Sequence, residues 1–329
     1  MRYRYARPLH RAVLAGLTLL AAALGTIALA RVPAAADAPA VVRVETSDYD
    51  LAYEPYYGVA AGIFARHGIA LTFLPSVEGG ANMIRDVAGG TADVGFSNLI
   101  SIAGQIQRGT PIVLIAPAGL YDRREPVNAL VVSPDSPIHT AADLNGKSLS
   151  SPSGPGSAGA LAPAAWIDQN GGDSTTVRFV TGIKPADLPA ALAAGTVAAG
   201  EMGDPNLTML RQAGKVRVLC APFDAEGDHY LLAGFVASKA WVDAHPETAR
   251  AFAAAMRETA VWANAHRAET GAILAGRLGL APGVVAAMSR TTFAETLAPA
   301  AIQPPLDVAA KYAVIHPMRA DELLRGSPF

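Results

Sequence analysis

Apolar and polar positions follow two rhythms along most of the chain. Short apolar runs predict buried strands; stretches with an apolar residue every three or four positions predict helices packed on one face. Val41–Thr46, Ile69–Leu74, Ala92–Phe96 and Ile112–Ala116 are runs of the first kind. Tyr56–Arg66, Ala81–Ala88 and a segment from Ser97 or Asn98 to Gln107 lie between them and read as helices. His67–Gly68, Gly89–Gly90 and Gly109 punctuate the series. Strands alternating with helices imply a parallel sheet with crossover helices. Right-handed crossovers place the strand ends on one edge, so loops 47–54, 76–80 and 97–98 meet there. Open α/β sheets take their ligands at that edge.

A second series follows. Asn128–Ser133 is a strand, and Pro134 and Pro137 then break the pattern. Strands are expected at Lys147–Ser150, Thr176–Val180, Val197–Glu201 and Val216–Cys220. Helices are expected at Gly156–Asn170, Pro185–Ala194 and Asp204–Arg211. Tyr230–Ser238 reads as one long apolar strand. Helices follow from Pro246 to about His266, then at 268–277, 282–288 and 305–315. Between Pro246 and His266, Ala249, Phe252, Ala253, Met256, Ala260 and Ala263 share a face. The expected fold class is α/β with two lobes, each a sheet flanked by helices. Lobe one is 41–134 plus 230–329 and lobe two is 138–225, joined by crossings near Ser133–Ser136 and Asp224–Asp228.

The first 36 residues break the rhythm. They hold five arginines and no acid, an apolar stretch Ala12–Ala30, and Ala34–Ala36 before Asp37. This is the three-part pattern of an export signal, and cleavage is expected after Ala36. The alternative is retention as a membrane anchor. The signal carries no cysteine to lipidate, so a free periplasmic protein is expected. The remainder has 21 basic and 28 acidic residues, a formal net of −7. An acidic chain without a Lys/Arg block is a poor nucleic-acid binder. Hydrophobic residues at 51% and charged residues at 16% exclude a disordered chain. Cys220 is the only cysteine, so no internal disulfide forms, and it reads as a small buried hydrophobe.

Candidate chemistry gathers in the loops at the expected edge. Ser150–Gly159 (SSPSGPGSAG) joins a strand to a helix start, where free N–H groups and the helix dipole favour a polar or anionic ligand. Ser153, Gly156, Ser157 and Ala158 form this wall. Gly154, Gly156 and Gly159 also fit G-x-G-x-x-G, but no acid ends the following strand, which argues against a dinucleotide. Asp48, Tyr49 and Tyr53 offer carboxylate, ring and hydroxyl contacts. Gly80, Ala81 and Asn82 open a helix with N–H donors. Ser97 and Asn98 either contact ligand or cap their helix. Met202 and Asp204 follow a strand of lobe two, and Asp204 either accepts ligand donors or caps the next helix. The seven histidines have no metal spacing, and no HExxH, GxSxG, Walker loop or CxxC appears. No cofactor, metal or catalytic residue is therefore expected.

Several ordered segments resemble a known family: GGANMIRDVAGGTADVGF (79–96), QRGTPIVLIA (107–116), SPIHTAADLNGKSLSSPSGPGSAG (136–159) and AALAAGTVAAGEMGDP (190–205). They are similar to solute-binding proteins of bacterial ABC importers. The similar branch holds sulfonate, taurine and nitrate binders and binders of thiamine-pyrimidine precursors (NMT1/THI5-like). The likeness spans roughly 41–275, with PYYGVAAGIF (55–64) departing from the usual motif. It lacks the cysteine cluster of the related fungal synthases. The resemblance implies a hinged, type II-like periplasmic-binding-protein fold. It also implies a small solute, or oxyanion, as ligand, and a membrane permease with a cytoplasmic ATPase as partners. A monomer is expected. A secreted enzyme on the same scaffold, with His229 or Asp204 as base, and a sensory module for a membrane receptor are the other readings.

Overall fold

The apolar runs become strands that bury alternate side chains: Val42 and Val44 lie in the core, Val41 before them faces solvent and Arg43 between them is half-buried. A computed structural model describes residues 38–75, 80–151 and 158–329; the expected export signal, 1–36, lies outside the described residues. The first strands are β1 (Ala40–Glu45), β2 (Ile69–Phe73), β3 (Val94–Asn98), β4 (Ile112–Pro117) and β5 (Gly119–Asp122). Next come β6 (Asn128–Val132), β7 (Ser148–Ser150), β8 (Arg178–Val180), β9 (Ala199–Gly203) and β10 (Arg217–Cys220). The last are β11 (His229–Leu231), β12 (Ala233–Ser238) and β13 (Thr292–Phe293).

Two five-stranded sheets result, ordered β2-β1-β3-β12-β4 and β10-β6-β9-β7-β8. In the first, β1 is parallel to β2 and β3, and β12 is antiparallel to β3 and β4. In the second, β7 is parallel to β8 and β9, and β6 is antiparallel to β9 and β10. The expected two-lobed α/β class is thus what the chain builds. Helices cover both sheets. Phe64, Phe252 and Met256 pack on one face of the first sheet, Ile102, Leu306 and Ile302 on the other. The second sheet is sandwiched by Leu188 and Leu207 on one side, Leu144 and Ile167 on the other. Each such fully buried side chain contributes about 1.5–3 kcal/mol relative to exposure.

The crossings differ from expectation. Asn128–Val132 pairs with β9 and β10, so it belongs to the second sheet rather than to lobe one. The first crossing therefore lies before it, between Asp122 and Asn128, not at Ser133–Ser136. An apolar run shows that a strand forms; its partners decide the sheet, and they are distant in sequence. The expected strand Tyr230–Ser238 is two strands, β11 and β12. β11 pairs antiparallel with β5, with Tyr230 opposite Tyr121, so outgoing and returning chain run side by side. β13 adds a third strand to this ribbon.

The expected helix Tyr56–Arg66 is also two, Glu54–Ala60 and Ile63–Arg66. Gly62 between them sits at φ 68, a conformation that costs a residue with a side chain. The helix Pro246–Ala265 buries the face its spacing predicts: Ala249, Phe252, Ala253, Met256, Ala260 and Ala263. No helix of the described residues is long and apolar enough to cross a membrane.

Candidate functional site

The carboxyl ends of β1 and β3 form the rim of the first sheet. After β1 the chain turns through a short helix, Asp50–Ala52. Asp48 and Tyr49 are exposed there, and Tyr49 meets Phe96 edge-on at 5.8 Å. Tyr53 differs: it is 2% exposed, among Tyr57, Leu274 and Phe293. Its hydroxyl donates to Asp48 Oδ1 at 3.1 Å, so its ring is core and its tip orients the Asp48 carboxylate.

Asp50, which no local pattern singles out, organises this loop. Asp50 Oδ1 accepts from Tyr57 Oη at 2.6 Å and Arg290 Nη2 at 3.1 Å. Oδ2 accepts from Arg290 Nε at 2.7 Å and Thr291 N at 2.9 Å. The ion pair is buried, and every carboxylate lone pair has a donor, which offsets its desolvation. Burial, then Asp50, holds the Tyr57 phenol protonated.

Gly80 opens the helix Gly80–Ala88, and Ala81 and Asn82 are exposed in its first turn. A methyl group on Gly80 would overlap Ser97 Oγ and come within 2.9 Å of Ser97 Cβ. Glycine here lets the helix start abut β3. Ser97 is fully buried, and its hydroxyl has no hydrogen-bond partner among the described residues. Asn98 caps the helix Leu99–Gln107, its Oδ1 accepting from Ser101 N at 2.8 Å.

In the second sheet, Ser153, Gly156 and Ser157 lie outside the described residues, and Ala158 is the first residue of the helix Ala158–Gln169. The flanking positions are firmly held. Ser150 and Ser151 are buried, Ser151 N donates to Val180 O at 3.0 Å, and Ser151 Oγ donates to Gly159 O at 2.8 Å. Met202 packs in the core beside Leu188 and Leu207. Asp204 has both oxygens engaged. Oδ1 accepts from Thr208 N at 2.9 Å, capping the helix Asn206–Gln212, and Oδ2 accepts from Ser289 N at 2.9 Å. It ties the end of β9 to the segment leading into β13.

Three buried acids, Glu45, Glu54 and Glu226, and the half-buried Glu201 complete the picture. Burial pushes Glu45 up to about 7, with Asp86 adding repulsion. Glu54, wholly buried, is raised well above the usual carboxyl range by desolvation alone. Glu201 rises to about 7 by burial, against a weak bond from Asn128 Nδ2 at 3.3 Å. Glu226 rises to about 8 by burial and the nearby Glu201. For Glu45 and Glu201 the signal in the sequence is an acid in an apolar strand run, VVRVE and AAGEMG; Glu54 and Glu226 lie outside such runs. His229 is exposed on β11, 3.9 Å from Asp122 Oδ2. Cys220 is half-buried and its thiol is pushed up by desolvation. No group of three or more His, Cys, Asp and Glu is placed to hold a metal among the described residues.

The model of the NMT1/THI5-like family matches residues 54–270, about two thirds of the chain. No curated protein matches the sequence. Among solved structures, the alkanesulfonate-binding protein SsuA from Xanthomonas axonopodis pv. citri, bound to MOPS, aligns at TM-score 0.67 and 18% identity, over 88% of this chain and 99% of that one. The periplasmic aliphatic sulphonate binding protein SsuA from Escherichia coli aligns at TM-score 0.65 and 19% identity, over 85% and 94%. A ligand-binding component of an ABC-type import system from Staphylococcus aureus, with zinc bound, aligns at TM-score 0.71 and 15% identity, over 88% and 99%. At these identities the likeness is one of fold.

Proposed function

The chain belongs to the NMT1/THI5-like family, and from that premise we propose that it is the extracytoplasmic solute-binding component of an ABC importer. The observation that carries this reading is the strand order. Each sheet has a fourth strand, β12 or β6, supplied by chain that has just crossed from the other half. The crossings pair as the ribbon β5–β11, a natural hinge between two ligand-facing edges. In this reading lobe one takes β1–β4 with β12, lobe two takes β6–β10, and the signal is removed on export. A permease with its cytoplasmic ATPase receives the loaded, monomeric protein.

The proposed ligand contacts are Asp48, Tyr49, Gly80, Ala81, Asn82, Ser97 and Asn98 from the first rim. Ser153, Gly156, Ser157, Ala158 and Asp204 serve from the second. Tyr53 and Met202 act from the core beneath, through Asp48 and through packing. The protein binds and releases without changing its solute, and it needs no cofactor. The family resemblance offers sulfonate, taurine, nitrate and pyrimidine-precursor classes. The test is to purify the full chain natively, denature it, and identify what it releases by mass spectrometry. A stoichiometric small molecule is expected. Release of nothing, together with no binding in a broad solute screen of folded protein, would overturn the function.

A further inference from the structure

Three consecutive residues, 289–291, join the two halves. Ser289 N donates to Asp204 Oδ2 at 2.9 Å, and Asp204 directly follows β9 of the second sheet. Arg290 Nε donates to Asp50 Oδ2 at 2.7 Å, and Thr291 N donates to the same oxygen at 2.9 Å. Asp50 lies in the loop after β1 of the first sheet. Two residues of chain span at most about 7 Å. The segment therefore stands between two carboxylates, one from each half. It runs into β13, the third strand of the hinge ribbon, where Thr292 pairs with Leu120 of β5. Just before it, the helix Pro282–Ala287 packs on the helix Asn206–Gln212 of the second half. Glu125, in the outgoing crossing, reaches the same place: it accepts from Arg290 N at 3.4 Å and pairs with Arg267 at 3.6 Å.

The two attachments are unequal. On the first side the Arg290 guanidinium also donates to Thr270 Oγ1 at 3.1 Å and to Arg267 O at 3.3 Å, and Met288 packs with Tyr57 and Phe293. Parting Arg290 from Asp50 would leave a buried charge unpaired. On the second side one backbone N–H meets a half-buried carboxylate. Asp204 is itself fixed there, its Oδ1 accepting from Thr208 N at 2.9 Å and its N donating to Val127 O at 3.2 Å. A single hydrogen bond to a carboxylate is worth less than a buried ion pair with several donors. When the halves move, the bond between Ser289 and Asp204 breaks first, and the segment stays with the first half.

We propose that the segment 289–291 is a latch between the halves, with the Ser289 N–H as donor and the Asp204 carboxylate as acceptor, and that it sets the spacing of the two rims before solute arrives. This rests on the hinged, solute-binding reading above. It gives Asp204 a role beyond capping its helix. A carboxylate oxygen accepts more than one hydrogen bond, so the latch leaves Asp204 able to meet a solute as well. The latch is one bond strong, so it biases the hinge without locking it. Its anchor on the first side is the loop that carries Asp48 and Tyr49, so the same three residues hold that rim loop and the end of β9 in register.

The experiment is a distance measurement by pulsed electron resonance on the full chain, freed of solute by denaturing and refolding. Spin labels go on Val59→Cys and Val218→Cys, exposed positions in opposite halves, in a Cys220→Ser background. Ser289→Pro deletes the donor, and Met288 before it is already extended, as a following proline requires. Asp204→Asn keeps an acceptor for Thr208 N, so the cap survives, while its amide N–H groups cannot accept from Ser289 N. Both variants should melt as cooperatively as the parent. In both, the population at the parent's main distance should fall about tenfold relative to the rest. Ser289→Ala keeps the N–H and should match the parent. An unchanged distribution in either folded variant, or the same loss in Ser289→Ala, would overturn the latch. Failure of the solute-binding reading would show separately, as native protein that releases no solute.

Discussion

In the first sheet β12 is wedged between β3 and β4; in the second β6 is wedged between β9 and β10, and both run against their neighbours. The materials differ. The first half packs Phe64, Phe96, Phe235, Phe252 and Met256 about strands of five or six residues. The second half buries no aromatic side chain in its core clusters and relies on Leu, Val, Ile, Ala and Met202, and its β7 and β8 are three residues long. One topology therefore stands on two unequal cores. In each sheet the antiparallel strand lies next to the ribbon in sequence: β6 follows β5 and β12 follows β11. The heavier half also holds the buried ion pair Asp50–Arg290, which braces the rim loop against the C-terminal segment.

The largest effect that would break this comparison is at Asp50. Asp50→Ala leaves Arg290 buried without its partner and should cost about 3–5 kcal/mol. Denaturant unfolding of the variant measures it; a loss below about 1 kcal/mol would show that the brace is not structural. Next is Gly80→Ala, whose methyl group has no space beside Ser97. A cost of about 1–3 kcal/mol is expected, and only partly recovered in Gly80→Ala with Ser97→Gly, because the Ser97 Cα still stands 3.0 Å from the methyl group. Third, Asp204→Ala removes the cap of the helix Asn206–Gln212 and the tie to Ser289. About 1 kcal/mol should be lost, with faster amide exchange at Thr208 and Ser289; unchanged exchange at Ser289 would dismiss the tie.

The last effect concerns pH, and Glu45 and Glu54 of the heavier half share its direction. Glu201 and Glu226 have folded pKa values of about 7 and about 8, above the ordinary carboxyl value. The folded state therefore binds more protons than the unfolded state between that value and about 8, and stability falls as pH rises through this window. Glu201→Gln and Glu226→Gln should flatten the decline. A parent stability that stays level over the same range would contradict it.

Much of this architecture was written locally. The periodicity of 246–265 named its buried face, and β1 to β4 follow apolar runs bounded by glycine and proline. What stayed hidden was long-range. Asn128–Val132 looks like any apolar strand, and only its pairing with β9 and β10 places it across the hinge. β5 and β13 are short and polar-flanked, so they form because they find each other, not because their residues insist. At the site, Asn98 and Asp204 displayed capping chemistry openly. Asp50 found its partner 240 residues away in Arg290, a distance no local pattern spans. Tyr53 read as a rim contact because its hydroxyl is polar, while tertiary packing takes the ring inward.

The central claim is that two halves close on a solute about the ribbon β5–β11. Val59 in the first half and Val218 in the second are exposed, at 45% and 37%, and suit spin labels. In a Cys220→Ser background, Val59→Cys with Val218→Cys reports the distance between the halves by pulsed electron resonance. Adding back the solute released from native protein should shift that distance distribution to shorter values and narrow it. A distribution that is identical with and without the solute would contradict the account.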